Sequence, residues 1–366
     1  MYEGLNEKKL NKVAVIGNNA MDSFVGDYIY FTDACVDFYD GMVDRLGQDR
    51  VLYSLGTSPI STTDEQIAEA VETAKQSDVV FLVLGDCSEM GGGAQNVENE
   101  KMPEFKDKNK KLEITIGEGY DCHNLKLTPG QQRLFDAVTS LGKPVILIMY
   151  AGVPYAIKDD VKKVNAFMYS FGGGEQSGNA FANLIFGDKS PSAKTAITFP
   201  ESVGQIPCYY NYKASARGTC YKQHGSIENP GRDYVLAGPE PWYPFGYGLS
   251  YTDFEWEVVS TTPENNGVLN ADSIIKVEVK VTNVGEVAGK DVVELYYTAP
   301  YTNGGIEKAH VVLGGFAKTK TLEPNESEVV TIEITARDMS SYDWNDANAN
   351  GFKGYELEMG TYQIKI

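Results

Sequence analysis

Residues Asp78-Val-Val-Phe-Leu-Val-Leu84 decide the fold. The run is apolar almost throughout, as a strand buried on both faces of a parallel sheet must be. Before it, Ile67, Ala70, Val71 and Ala74 recur at helical spacing, and Thr62 with Glu65 fits a capping box at that helix's start. Further back, Val13–Ile16 is a short apolar run ending at Gly17. Downstream the alternation repeats. Thr128-Pro129-Gly130-Gln131 supplies a cap, a proline suited to the first helical position and a glutamine able to reach back. The helix then carries Leu134, Phe135 and Val138 and stops near Gly142. Strands are predicted at Val145–Met149, Val164–Tyr169 and Thr195–Phe199, with a helix over Asn179–Phe186 stopped by Gly187. Strand–helix alternation of this kind predicts an α/β fold, a mostly parallel sheet wrapped by helices.

Residues 200 to about 250 change character. Pro, Gly and Tyr dominate, and no periodicity holds. Beyond them the pattern is all-β. In Ile274–Asn283, Val277, Val279 and Val281 alternate with Lys276, Glu278 and Lys280, the period of a strand with one buried face. Further strands are expected at Asp291–Thr298, Val311–Lys318, Val329–Ile334 and Tyr362–Ile366, separated by turns at Asn283-Val284-Gly285, Gly304-Gly305 and Pro324-Asn325. They describe a small β-sandwich. The expected division is an α/β domain over 1–200, an extended linker over 201–253 and a β-sandwich over 254–366.

With 366 residues, two domains are the natural expectation. Acidic residues outnumber basic ones, 51 to 32, and the net charge of −19 repels phosphate backbones and anionic lipid. Neither nucleic acid nor membrane is therefore expected as a partner, and neutral substrates remain open. Five scattered cysteines (Cys35, Cys87, Cys122, Cys208 and Cys220) fit free thiols better than a disulfide framework or zinc site. Three dispersed histidines give no metal cluster. No cofactor or metal is called for. The N-terminus shows no apolar signal-peptide core, so a cytoplasmic location is expected if Met1 is the authentic start.

Several loops invite chemistry. Gly17-Asn18-Asn19-Ala20 follows a strand but lacks the further glycines a dinucleotide cradle needs. Gly172–Gly178 is a glycine run ahead of a helix, fit either for an anion at the helix N-terminus or for a cap by Glu175. Pro244–Tyr251 reads equally as a packing knot or a binding rim. The long polar loop from Gly85 to His123 follows a buried strand, where α/β proteins place functional loops. It ends in Gly117-Glu118-Gly119-Tyr120-Asp121. Two glycines flanking Glu118 present a carboxylate at a loop tip, suited to general acid work inside a neighbouring cleft. A merely solvated glutamate is the ordinary alternative.

Taken together, GEGYDCHNLKLTPGQQ (117–132), KPVILIMYAGVPYAI (143–157), FGGGEQSGNAFANLIFGDKSPSAKTAITFP (171–200), PWYPFGYGLSYTDF (241–254), VKVTNVGEVAGKDVVELYY (279–297) and HVVLGGFAKTKTLEPNESEVV (310–330) resemble family 3 glycoside hydrolases of β-glucosidase and β-xylosidase type. The resemblance implies an α/β-sandwich domain followed by a fibronectin-III-like domain. It also implies a TIM barrel, in cis or in trans, bearing an aspartate nucleophile. No segment here looks like that barrel, and there is no room for its eight strand–helix units before Val13 or after Ile366. By the same resemblance the reaction is retaining hydrolysis of a β-linked oligosaccharide or glycoside, and Glu118 of the GEGxDR-like motif is the general acid/base. Cys122 stands where that motif carries arginine, and a thiol cannot reproduce a guanidinium fork. The expected function is the C-terminal portion of a retaining β-glycosidase. The alternative is a non-catalytic carbohydrate-binding or scaffold protein derived from one. A surface built to meet a barrel exposes an apolar patch when alone, so self-association is also expected.

Overall fold

A computed structural model of the chain describes residues 4–22, 35–88, 113–213 and 238–366. They form two compact units, one of Gly4–Asp188 with Pro200–Ile206, the other of Lys189–Phe199 with Pro207–Ile366.

The first unit is a parallel sheet wrapped by helices. Its strands are β1 (Val13–Ile16), β2 (Val51–Ser54), β3 (Val79–Gly85), β4 (Val145–Tyr150) and β5 (Ala166–Ser170), in the order β2-β1-β3-β4-β5. All four pairings are parallel. Every residue of β3 is buried, which is what its unbroken apolar run requires. The helices are α1 (Phe38–Leu46), α2 (Asp64–Lys75), α3 (Pro129–Thr139), the single turn α4 (Lys158–Val161) and α5 (Ser177–Ile185). α1 packs on α5 and α2 on α3. Val15, Phe81, Val83 and Ile148 from the sheet meet Phe38, Met42 and Phe181 from α1 and α5 in one core.

Helix starts carry two corrections. The capping box of α2 uses Thr63 and Gln66, one residue beyond Thr62 and Glu65. Thr63 Oγ1 accepts from the Gln66 amide at 3.2 Å and Gln66 Oε1 accepts from the Thr63 amide at 2.9 Å. Thr62 instead donates to the Gly56 carbonyl. At α3, Thr128 caps as expected, but the Gln131 side chain does not reach back. It is fully buried and donates to the carbonyls of Gly85 (2.7 Å) and Pro59 (3.0 Å), tying the helix start to the end of β3.

The second unit is antiparallel. Strands β6 (Phe254–Thr262), β7 (Ile274–Asn283), β8 (Val292–Thr298), β9 (Val312–Lys318), β10 (Ser327–Thr335) and β13 (Gln363–Lys365) form the sheets β10-β7-β6 and β13-β8-β9, and β11 (Ser341–Asp343) pairs with β12 (Gly354–Glu356). The alternation in β7 is real: Ile275, Val277, Val279 and Val281 point into the core with Val293 and Leu295 of β8. β6 escapes a sequence reading because Trp256, Val258 and Val259 are exposed, leaving no clean alternation. Thr195–Phe199 is not a sheet strand. Phe199 makes an isolated antiparallel bridge to Tyr243 and belongs to this second unit.

Candidate active site

In the order β2-β1-β3-β4-β5 the chain leaves β1 towards one edge and β3 towards the other, so the switch point of the sheet, where α/β proteins place their binding sites, lies at their carboxyl ends. Two glycines terminate these strands. Gly17 has φ 133° and Gly85 φ 146°. After β1, Asn18 and Asn19 fill the turn with their own amides. Asn18 Nδ2 donates to Asn19 Oδ1 (2.6 Å) and to the Gly85 carbonyl (3.3 Å), and Asn19 Nδ2 donates to the Asp86 carbonyl (3.0 Å).

Asp86 is 1% exposed and lies at the centre of this edge. Its Oδ1 accepts from Thr115 Oγ1 (2.8 Å) and the Tyr155 hydroxyl (2.7 Å), and its Oδ2 from the Gly152 amide (2.9 Å). Burial raises its pKa, and the three donors oppose that shift. Burial and the adjacent Asp86 charge hold the Tyr155 phenol protonated.

The loop that returns towards α3 is described from Glu113; residues 89–112 of it lie outside the described residues. It is fastened at several points. Glu113 accepts from the amides of Ile60 (2.7 Å) and Ser61 (2.9 Å) and from the Ser61 hydroxyl. The amides of Thr115 and Ile116 donate to the Cys87 carbonyl. Cys122 Sγ donates to the Thr115 carbonyl at 3.4 Å, closing the base of the turn. Leu125 is buried, and its carbonyl accepts from the Ala156 amide. Between these anchors the Tyr120 amide donates to the Gly117 carbonyl at 3.0 Å, so Glu118 and Gly119 are the central residues of a β-turn. Gly119 has φ 82°, which favours glycine there. A side chain at Gly119 would meet nothing within 4 Å, and Glu118 is exposed. The predicted site residue thus sits at a free tip on a fastened base.

Sequence reasoning missed Asp86, Thr115 and Glu113. The available signal was Asp86 itself, a carboxylate directly after the glycine that ends a fully apolar strand. The other two glycine-rich segments are closely packed. A Cβ on Gly178 would stand 1.8 Å from the Asp37 carbonyl oxygen, so α5 approaches the start of α1 too closely for any side chain. Glu175 is exposed, and α5 has no side-chain cap. In the 244–251 segment, Tyr247 stacks on Tyr243 (centroids 4.5 Å apart) and Phe245 on Tyr210 (4.4 Å).

The cysteines give a direct check of this geometry. Burial, with the charges of Asp22, Asp86 and Glu113, pushes the Cys87 thiol up to about 12. Cys122 is also raised, by partial burial and by Asp86 and Asp121, but it is exposed. Alkylation at about pH 8.5 is expected to modify Cys122 and spare Cys87 until urea unfolds the chain. Peptide mapping reads this, and equal labelling of both in the folded chain would contradict the burial of Cys87.

Residues 5–251 match the profile of the glycosyl hydrolase family 3 C-terminal domain. The chain belongs to glycosyl hydrolase family 3. Residues 291–366 of this family 3 chain match the fibronectin type III-like domain. A beta-xylosidase of Formosa agariphila is 30% identical over 339 residues, covering 90% of this chain and 41% of that protein. The periplasmic beta-glucosidase of Salmonella typhimurium is 31% identical over 300 residues, covering 82% of this chain and 34% of its own. The crystal structure of a beta-glucosidase from Listeria innocua in complex with isofagomine superposes with a TM-score of 0.75 at 26% identity, covering 99% of this chain and 44% of that one. The family 3 chain therefore spans between a third and a half of the length of these proteins and corresponds to their C-terminal part. Among the described residues there is no eight-stranded barrel.

Proposed function

We propose that this chain supplies the general acid/base of a retaining β-glycosidase acting on β-linked glucosides or xylosides, with Glu118 as that group and the nucleophile on a barrel domain in cis or in trans. The observation that supports this is the position of Glu118, exposed at the centre of a glycine-hinged turn whose base is fastened to the carboxyl edge of the sheet. A carboxylate so placed can enter a neighbouring cleft without the rest of the loop rearranging. Inside that cleft its carboxyl can give a proton to the glycosidic oxygen. A barrel carboxylate about 5 Å away attacks the anomeric carbon as the leaving oxygen takes the proton. Glu118, now ionised, removes a proton from the water that releases the sugar.

Leaving-group dependence tests the role. With a family 3 barrel domain present, Glu118→Gln is expected to slow glycosyl transfer from alkyl β-glycosides by about 10²–10⁴-fold. For a dinitrophenyl glycoside, whose departing oxygen needs no proton, kcat/KM, which reports this first step, should barely change, while kcat falls because the second step has lost its base. Equal loss of kcat/KM on both substrates would sink the acid assignment. One observation favours the non-catalytic reading: Cys122 ties the turn to the Thr115 carbonyl as a neutral thiol, where the family motif has arginine. On that reading sugar affinity persists and Glu118→Gln alters nothing.

A further inference from the structure

We propose that Asp86 is the positioning residue for the Glu118 turn, a buried carboxylate that latches the acid/base loop to the sheet. The inference rests on the reading of Glu118 given above and deepens it. Asp86 is an unusual choice for a merely structural position, because burying a carboxylate is costly unless donors converge on it. Here they come from two separate loops. Gly152 and Tyr155 belong to the segment after β4, and Thr115 to the segment that carries Glu118. An ionised carboxylate only accepts, so both loops must bring their donors to it.

Thr115 extends the latch outward. Its Oγ1 accepts from the Cys87 amide at 3.0 Å while donating to Asp86 at 2.8 Å, with the Cys87 carbonyl a longer acceptor at 3.4 Å. Its carbonyl accepts the Cys122 thiol, and Cys122 lies two residues beyond the turn that holds Glu118. A continuous path therefore runs from the end of the central strand through Asp86, Thr115 and Cys122 to both stems of the turn. Asp86 itself is buried and follows β3 directly, so it serves the tip through Thr115 and does not meet the substrate.

Hydrogen exchange on the full chain, resolved by peptide, tests the latch without relying on Glu118 chemistry. In Asp86→Ala both acceptor oxygens are gone; in Thr115→Val the hydroxyl is gone. In both, the amides of Thr115, Ile116 and Tyr120 are expected to exchange about tenfold faster or more, while those of β3 and β4 keep their protection. Thr115→Ser, which retains the hydroxyl, should restore wild-type exchange. Unchanged protection over 113–123 in both variants would overturn the proposal. So would a loss spread evenly over β3 and β4, which would make Asp86 a plain element of fold stability. Because this readout does not involve the Glu118 carboxyl, a Glu118→Gln chain that kept full activity would remove the acid/base reading and leave the exchange result to stand or fall by itself.

Discussion

Gly85→Ala is expected to leave the α/β unit without a cooperative unfolding transition. Gly85 ends β3 at φ 146°, where an L side chain is strained by about 1–2 kcal/mol. Steric overlap costs more than this strain. A Cβ would stand 1.7 Å from the Tyr150 carbonyl oxygen and 2.6 Å from its carbon, both backbone atoms of the neighbouring strand. No side-chain rotation relieves that, so β4 must part from β3 where the two pair, Gly85 opposite Tyr150. The Gly85 carbonyl also receives Asn18 and Gln131, and moving it orphans both amides. Overpacking costs about 1–3 kcal/mol even where a core can adjust, and this one cannot. The total approaches the roughly 5–15 kcal/mol that holds a domain together. Gly119→Ala is the matched control. It has a similar left-handed requirement, φ 82°, but open space, and should cost only about 1–2 kcal/mol. Thermal melts by circular dichroism compare the two, and a Gly85→Ala melt within a few degrees of wild type would contradict the tight strand approach.

Asn283→Leu should destabilise the fibronectin-like unit by about 3 kcal/mol or more, the cost of several buried groups losing partners at once. Asn283 is fully buried at the end of β7. Its Oδ1 accepts from the Thr252 hydroxyl (2.6 Å) and the Gly285 amide (3.1 Å). Its Nδ2 donates to the carbonyls of Val287 (2.9 Å) and Leu322 (2.8 Å). One side chain thus binds the segment before β6, the β7–β8 turn and the approach to β10. Leucine matches its volume and offers none of those bonds: the Thr252 hydroxyl, the Gly285 amide and the Val287 carbonyl lose this partner, and the Leu322 carbonyl keeps only the Gly289 amide. Urea titration measures the loss, and a change under about 1 kcal/mol would show that the four groups find other partners.

Asn283 also shows where sequence reading stops. In the sequence it stands in Asn-Val-Gly and looks like a turn residue; in the fold it is a core hub. The same limit applies at Gln131, which looks like half of a capping box and is instead a buried brace. Burial patterns were legible because they repeat: the unbroken run of β3 and the strict alternation of β7 each allow one placement. Long-range polar partnerships leave no period. Thr115 lies 29 residues from Asp86, and nothing local to either announces the bond. Glu118 could be singled out because its flanking glycines constrain the backbone at short range. The residues that hold its loop could not.

A chain that carries the acid/base and not the nucleophile should be silent by itself and active with a barrel. Hydrolysis of an aryl β-glucoside and an aryl β-xyloside by the purified chain decides this, first alone and then with the barrel portion of a family 3 relative. We expect no turnover alone, because a lone acid forms no covalent glycosyl intermediate, and turnover with the barrel that Glu118→Gln abolishes for poor leaving groups. Robust hydrolysis by the 366-residue chain alone would place a nucleophile within it and refute this division of labour.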